Sequence, residues 1–316
     1  MGIKFLNQFL RNKCNNSIAK INIADLTNKK IAVDISIYLY KYEGTDTLLE
    51  NMYLMLSIFR HHNIIPVFIF DGKPPPEKYE LLKKRQENKT AAKNEYNKLK
   101  EQLEVNELSD DEKQEMIISM DQLKKQFVYM NNNKIEKVKE LIRSYGATYY
   151  DAPGEADELC ALLVNTNKVW ACLSEDMDLF VYGCKRVIRY ISLNNQTAIL
   201  YYTKGILKEL NMNQTEFREI CVLSGTDYNI NVNVLNLFDI INLFYTFKQA
   251  LSNQPFYDWV KIKIDLDLDL LKKINSMFDI SLELTNSFKN IQILNGPIQK
   301  NLIKEIMKED GFMFLN

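Results

Sequence analysis

Apolar and polar positions alternate along the first half of the chain in blocks that predict strands followed by helices. Apolar runs of β-rich composition predict four strands, at 29–36, 64–72, 146–154 and 168–176. Apolar residues at helical spacing predict helices between them, at 47–62, 135–145 and 154–166. Strands that alternate with helices are typical of an α/β domain, so we expect a mainly parallel central sheet.

The segment 76–130 does not follow this pattern, because it is highly charged and contains no glycine. It predicts a helical insertion between two strands. Residues 72–100 hold nine Lys or Arg against four Glu; composition alone favours a solvated helical hairpin here. From residue 204 the pattern is helical. We therefore expect an α/β core at 1–203, with its insertion, and a helical region at 204–316.

Composition places the chain among globular proteins but does not select a partner. Of its 316 residues, 46% are hydrophobic and 26% charged, and the formal net charge is −1. That charge argues neither for nor against a nucleic-acid partner. The five cysteines form no C-x-x-C pair, which predicts reduced, buried thiols. The N-terminus has no signal-peptide pattern and no apolar run could span a bilayer, so we expect an intracellular, soluble protein.

The chain offers few reactive groups other than carboxylates. His61 and His62 are its two histidines and stand side by side, which disfavours chemistry built on several histidines. The nucleophile-elbow, Walker A and dinucleotide-binding patterns are also absent from the sequence. If the protein is an enzyme, we expect carboxylates to perform its chemistry.

Six acidic residues follow the predicted strands or open the helices after them, and a seventh, Asp227, lies just past a helix. These residues are Asp34, Asp71, Glu155, Asp157, Asp176, Asp178 and Asp227. In open α/β sheets, ligands bind beyond the carboxyl ends of the strands, so all seven should converge on one edge of the sheet. A single Asp after a strand is more often a turn or cap residue. The joint pattern is what favours a site.

Seven carboxylates at one edge repel each other unless a cation neutralises them. Oxygen ligands without His or Cys favour a hard ion, Mg²⁺ or Mn²⁺. So many acids predict two ions, an arrangement that clamps an in-line displacement at phosphorus. Phosphatases of the haloacid dehalogenase type are a weak alternative. They need a second Asp two residues after the first, which "VDIS" and "FDGK" lack.

Six blocks of the sequence, in order, resemble the flap endonuclease family of structure-specific 5′ nucleases, which has a PIN-like core. The blocks are "MGIKFL", "IAVDISIYLY", "PVFIFDGKPPPEK", "YYDAPGEADELCA", "SEDMDLFVYG" and "LSGTDYN". They extend over about residues 1–232. No single block is specific, but six in the family's order are.

The resemblance implies a role for each matched residue. The seven acids would hold two divalent ions, and 76–130 would be the family's helical arch, through which a single-stranded 5′ end passes. The residues expected to be catalytic are Lys78, Arg85, Asp34, Asp71, Glu155 and Asp176. Those expected to contact DNA are Gly2, Tyr40, Lys78, Lys83, Lys84 and Arg85. Without the resemblance, Tyr40 would be interpreted as a core aromatic.

The sequence also departs from the family. Asp157 stands where cellular members usually have Glu. Residues 234–238, "VLNLF", replace a Gly-x-Gly-Pro-Lys-like hairpin that binds duplex phosphates, so we expect a degenerate helix-hairpin-helix-like element with weakened or reorganised duplex binding. The sliding-clamp motif and basic tail are not recognisable. The Asn-, Ile- and Lys-rich composition is typical of an AT-rich gene, as in a large DNA virus or a reduced genome.

These observations predict a metal-dependent 5′ flap endonuclease with 5′–3′ exonuclease activity in DNA replication, repair or recombination. Its partner would be branched or flapped DNA in the nucleus or at a cytoplasmic replication site, with no membrane and no small-molecule cofactor. One alternative is a 5′–3′ exonuclease or RNA-directed nuclease on the same scaffold. The other is a catalytically silent scaffold that binds branched DNA.

Overall fold

The computed structural model describes residues 2–105, 110–229, 235–250 and 253–314. Its centre is one seven-stranded sheet in the order β1-β7-β6-β5-β2-β3-β4. The strands are β1 Ile18–Asn22, β2 Lys30–Asp34, β3 Ile65–Phe70, β4 Thr148–Asp151, β5 Ala171–Leu173, β6 Arg186–Ser192 and β7 Thr197–Tyr202.

The sheet is mainly parallel, as predicted. β6, β5, β2, β3 and β4 run parallel to one another, and β7 and β1 add an antiparallel edge next to β6. The four predicted strands are confirmed as β2, β3, β4 and β5. The hairpin of β6 and β7 and the edge strand β1 were not predicted.

Helices cover the sheet and continue to the end of the described chain. The α-helices before β5 are α1 Leu6–Lys13, α2 Ser36–Glu43, α3 Leu48–His61, α4 Tyr79–Val105, α5 Asp110–Lys124, α6 Asn132–Ser144 and α7 Ala156–Asn165. Those after β5 are α8 Asp178–Val181, α9 Thr203–Glu209, α10 Gln214–Ser224, α11 Leu237–Gln249, α12 Phe256–Lys261, α13 Leu268–Met277, α14 Leu282–Ser287 and α15 Lys300–Glu309.

The central strands are buried on both faces, which explains their continuous apolar runs. In β2, Ile31 and Val33 contribute to one hydrophobic cluster and Ala32 to the other. The cluster with Ala32 also contains α1, α7, α10 and most of the later helices. The other contains α2, α3, α6 and, from the far end of the chain, α15.

The predicted domain division at 203/204 stays a prediction. Helices α10 to α13 lie beyond that point, yet they pack in the same hydrophobic cluster as α7 and β5. The predicted helical insertion is confirmed, because α4 and α5 lie between β3 and α6 and contact each other. We call these two helices, together with the short turn Pro76–Lys78 that leads into α4, the arch.

A strap formed by residues 292–299 carries the chain back along the sheet edge at β4. Asn295 forms an antiparallel bridge with Ala147, and the Arg60 guanidinium donates to Asn295 Oδ1 and the Gly296 carbonyl. The strap leads into α15, which packs on α6. The exposed edge of the parallel sheet is therefore covered by the chain itself.

The five cysteines are free and buried, as predicted. Within the part of the chain that the structure describes, no helix combines the length and the hydropathy needed to cross a membrane.

Candidate active site

The predicted acids converge at the carboxyl edge of the sheet. A cavity of about 580 Å³ opens between this edge and the arch. Six of the seven acids line it, namely Asp34, Asp71, Glu155, Asp157, Asp176 and Asp227. The predicted convergence is therefore seen for these six acids, and the roles of all seven as metal ligands stay predictions.

Asp34 and Asp71 end adjacent parallel strands and share a serine. Asp71 Oδ2 accepts a hydrogen bond from Ser36 Oγ at 2.5 Å, and Asp34 Oδ1 accepts one from the Ser36 backbone N–H at 3.3 Å. Asp34 Oδ2 accepts a third from Ser174 Oγ at 2.7 Å. Burial raises the pKa of Asp34 to about 7, with repulsion from Asp71 as the next cause.

The start of α7 supplies two more acids. Glu155 is the N-cap residue, and its Oε2 accepts a hydrogen bond from Tyr228 Oη at 2.5 Å. Asp157 lies in the first turn, where carboxylates are favoured by the helix dipole. Burial, followed by repulsion from Glu155 and Asp176, nevertheless raises the pKa of Asp157 above its ordinary value.

Asp176 and Asp178 lie on the loop after β5 and at the start of α8. Asp176 Oδ1 accepts the Asp178 backbone N–H at 3.0 Å. Burial is the main cause that raises the pKa of both carboxyls, and Asp227 adds repulsion. Asp178 is only 2% exposed and does not line the cavity. Its Oδ1 has no hydrogen-bond partner among the described residues.

Gly2 lies against Asp176 and Asp178. A side chain at this position would collide with the carboxylate oxygens of Asp178 and Asp176, and the backbone has φ 73°. Both facts require glycine. The N-terminal segment therefore packs against the carboxylates of Asp176 and Asp178.

Two arch cations reach across the cavity to the acids. Lys78 Nζ contacts Glu155 Oε1 and lies 3.7 Å from Asp227 Oδ2. Arg85 Nη2 lies 3.0 Å from Asp227 Oδ2. Burial acts to lower the pKa of Lys78, but the carboxylates outweigh burial and raise that pKa, so the ammonium stays charged.

The remaining predicted DNA-contacting residues lie at the rim or outside the cavity. Tyr40 lines the cavity and is 46% exposed, unlike a core aromatic, and Lys89 Nζ lies 5.0 Å from its ring centroid. Lys83 and Lys84 are exposed on α4 and do not line the cavity. Val234 of the 234–238 segment lies outside the described residues.

The donor set fits a hard divalent cation, because every candidate ligand is a carboxylate and Asp178 holds an unpaired buried oxygen. The side chains would have to draw together around an ion. In the described ranges, no three His, Cys, Asp or Glu side chains are close enough to hold one. Lys78 and Arg85 neutralise part of the acidic charge instead.

Sequence reasoning missed the residues that support the acids. Ser36, Ser174 and Tyr228 each hydrogen-bond a candidate ligand. Each also lies within two residues of a predicted acid. That proximity is the signal that could have found them, since a polar side chain so placed can reach the same edge of the sheet.

Comparison with known proteins gives concordant matches. The XPG N-terminal domain family matches residues 1–92, and the XPG I-region family matches residues 146–227. Flap endonuclease 1 of Methanococcus aeolicus is 29% identical over 248 residues, which cover 73% of this chain and 70% of that protein. Flap endonuclease 1 of Homo sapiens is 28% identical over 246 residues, which cover 72% of this chain and 62% of the human protein.

A solved structure has the same fold. The catalytic core of Rad2 in complex with DNA substrate superimposes with a TM-score of 0.69 at 19% identity, over 99% of this chain and 96% of that one. At this identity the likeness concerns the fold alone. It includes the sheet, the helices around it and the helices after residue 203.

Proposed function

This chain belongs to the flap endonuclease family, and we propose that it is a divalent-metal-dependent, structure-specific nuclease that cleaves 5′ flaps in DNA. We also propose that it has 5′–3′ exonuclease activity and acts in DNA replication, repair or recombination. One observation carries the proposal: six carboxylates line a single cavity opposite the arch cations Lys78 and Arg85.

The seven acids are proposed to hold two Mg²⁺ ions, with Mn²⁺ as a substitute. When bound, the ions would supply Lewis-acid activation of water and neutralise charge at the scissile phosphate. The chain must bring this pair of ions and a phosphate into one cavity. Its own contribution is to hold the acids in place against mutual repulsion, through Ser36, Ser174 and the start of α7.

Lys78 and Arg85 are proposed to contact the scissile phosphate from the arch side. Both now pair with acids, Lys78 with Glu155 and Arg85 with Asp227. A phosphate that enters the cavity competes for the same donors, and Arg can hold it with two parallel hydrogen bonds. The raised pKa of Lys78 keeps it a cation throughout the neutral range.

The rim residues are proposed to bind DNA without reading its sequence. The exposed ring of Tyr40 can stack on a base next to the cleaved bond, and such stacking is worth about 1–3 kcal/mol. Lys83 and Lys84 are exposed on the arch, where they attract phosphates. Gly2, whose backbone lies against Asp176 and Asp178, is proposed to approach the same DNA strand.

The test is cleavage of a 5′-labelled flap oligonucleotide with Mg²⁺ and with EDTA. We expect cuts near the flap junction in Mg²⁺ only. Asp176→Ala should lower the rate by at least about 100-fold, because this carboxylate lines the cavity and is one of the proposed metal ligands. Asp265→Ala, an exposed acid outside the cavity, is the matched control and should cleave at the wild-type rate.

The other outcomes separate the alternatives. Mononucleotide ladders from the 5′ end would make the protein mainly an exonuclease. Faster cleavage of an RNA flap would make RNA the substrate. Tight binding of flap DNA without cleavage in Mg²⁺ or Mn²⁺ would contradict the enzyme proposal and leave a branched-DNA-binding scaffold.

A further inference from the structure

Arg189 is a buried cation directly behind the loop that carries Asp176 and Asp178. It projects from β6 and is 5% exposed. Its Nη2 donates to the Glu175 carbonyl at 2.7 Å, and its Nη1 donates to Asn7 Oδ1 at 2.8 Å. Burying a guanidinium is costly unless its donors are used, so the Nη1 and Nη2 contacts restrict where the loop can lie, whereas Nε has no hydrogen bond among the described residues.

Residues on both sides of Asp176 contact this guanidinium. Glu175 Oε2 lies 3.5 Å from Arg189 Nε, and Glu175 Oε1 accepts the Tyr190 backbone N–H at 2.5 Å. Met177 Sδ lies 2.6 Å from Arg189 Nη1. Glu175 and Met177, the residues before and after Asp176, are therefore both held in contact with β6.

The same guanidinium also anchors the N-terminal helix α1. Asn7 Oδ1 accepts from Tyr201 Oη at 2.8 Å in addition to Arg189, and Asn7 Nδ2 donates to Tyr190 Oη at 2.9 Å. The rings of both tyrosines lie within cation–π distance of the guanidinium, at 5.0 Å and 5.7 Å. Gly2, just before α1, lies against the two acids. The Arg189 guanidinium thus connects the loop that carries Asp176 and Asp178 to the N-terminal segment that packs against those acids.

We propose that Arg189 is a positioning residue for the loop 174–178: it holds Asp176 and Asp178 close enough together to bind the same divalent ions. The inference rests on the proposed function, since it assumes that these acids bind metal. Carboxylates that repel each other tend to move apart. The contacts of Arg189 with Glu175 and Met177 oppose that movement, and they place no further cation in the cavity.

The test is Arg189→Lys with Mn²⁺ binding measured by calorimetry. Lysine keeps the positive charge, but its single ammonium group cannot donate to Asn7 and the Glu175 carbonyl from two separate nitrogens. We expect Mn²⁺ affinity to fall roughly 10-fold or more, as is typical when a residue that orients a metal ligand is changed. Arg186→Lys is the matched control. Arg186 lies on the same strand, donates to the Trp170 carbonyl and lies over its ring, so wild-type affinity is expected.

A second readout is the rate of flap cleavage as a function of Mg²⁺ concentration. In Arg189→Lys, half-maximal cleavage should require a higher Mg²⁺ concentration, and high Mg²⁺ should restore most of the maximal rate. Wild-type Mn²⁺ affinity in a folded Arg189→Lys variant would overturn the inference. If that variant does not fold, Glu175→Gln decides in its place: it keeps an acceptor for Tyr190 and removes the ion pair, so weaker binding supports the inference and unchanged binding overturns it. A wild-type chain that binds no Mn²⁺ would instead overturn the metal centre, and the inference with it.

Discussion

At the scale of single residues, Asp34 illustrates how the site keeps a carboxyl group at the base of an acidic cavity. Burial raises its pKa to about 7, whereas the hydrogen bonds from Ser174 and Ser36 act to lower that pKa. Without those donors the side chain would be neutral over a wider pH range. The serines therefore help to keep Asp34 available as a charged ligand near neutral pH.

Glu219 on α10 provides a pH-dependent test of stability away from the cavity. Burial, with repulsion from Glu216 and Asp258, raises the pKa of Glu219 from an ordinary 4.5 to about 7. Because the folded-state pKa lies above the unfolded one, unfolding free energy is lost as pH rises from 4.5 through 7. We expect Glu219→Gln to be more stable than wild type at pH 8 by about 2–3 kcal/mol, and equally stable at pH 4.5.

The measurement is urea unfolding of both proteins in EDTA at the two pH values. Glu305→Gln, which changes an exposed glutamate on α15, should behave as wild type at both. A gain for Glu219→Gln that is the same at pH 4.5 and pH 8 would mean that packing, not charge, is responsible.

The acids could be predicted from sequence, but the network behind them could not. Six of the seven acids end or follow a strand or lie at the start of a helix, and Asp227 follows α10; the fold then brings them to one region. The contacts of Arg189 and Asn7 join residues 182 apart in the chain. Arginine in a strand has no local pattern that indicates burial, since its interpretation depends on which side chains the fold places beside it.

At the scale of elements, three of the four predicted strands, β2, β3 and β5, consist mostly of buried positions, whereas β4 lies at the sheet edge. β3, "IPVFIF", is buried at five of its six positions and stands out as an apolar run. β1, "IAKIN", has no fully buried position, and β6 contains two arginines, so neither has a strand-like pattern. They pair as strands because β7 lies between them and supplies hydrogen-bond partners on both sides.

Helix α15 should contribute to the stability of the core from the far end of the chain. Met307 is fully buried among the residues of α6 and α3, so removing its side chain leaves a cavity. We expect Met307→Ala to lower the unfolding free energy by about 2–5 kcal/mol, measured by urea denaturation at pH 7.

Met313→Ala removes the same atoms from a side chain that is 87% exposed, and it should change stability by less than about 0.5 kcal/mol. Equal effects of the two substitutions would show that α15 is not part of the cooperative core.

At the scale of the whole molecule, the start of α11 is poorly suited to phosphate. Asn236 caps this helix by accepting the backbone N–H groups of Phe238 and Asp239. Those donors would otherwise be available to an anion. Asp239 adds a negative charge and Phe238 an exposed apolar ring. We therefore predict weakened duplex binding at this point.

The salt dependence of DNA binding tests that conclusion. We expect log K for duplex DNA in EDTA to fall less steeply with log[KCl] than for a family member with the glycine and lysine hairpin, because fewer counterions are released. Phe238→Lys should steepen the slope by about 1. Gln249→Lys, at the exposed far end of α11, should leave the slope unchanged. A wild-type slope as steep as that of the family member would contradict the prediction.

The strap at β4 also has a consequence for synthesis on the ribosome. The β4 edge can form once residue 151 has emerged, but its cover includes Asn295, Gly296 and α15. For about 150 residues of translation, an unpaired strand edge and the apolar side of α6 remain open. Such surfaces pair readily with other chains. The nascent protein should therefore depend on chaperones most strongly between the emergence of β4 and that of α15.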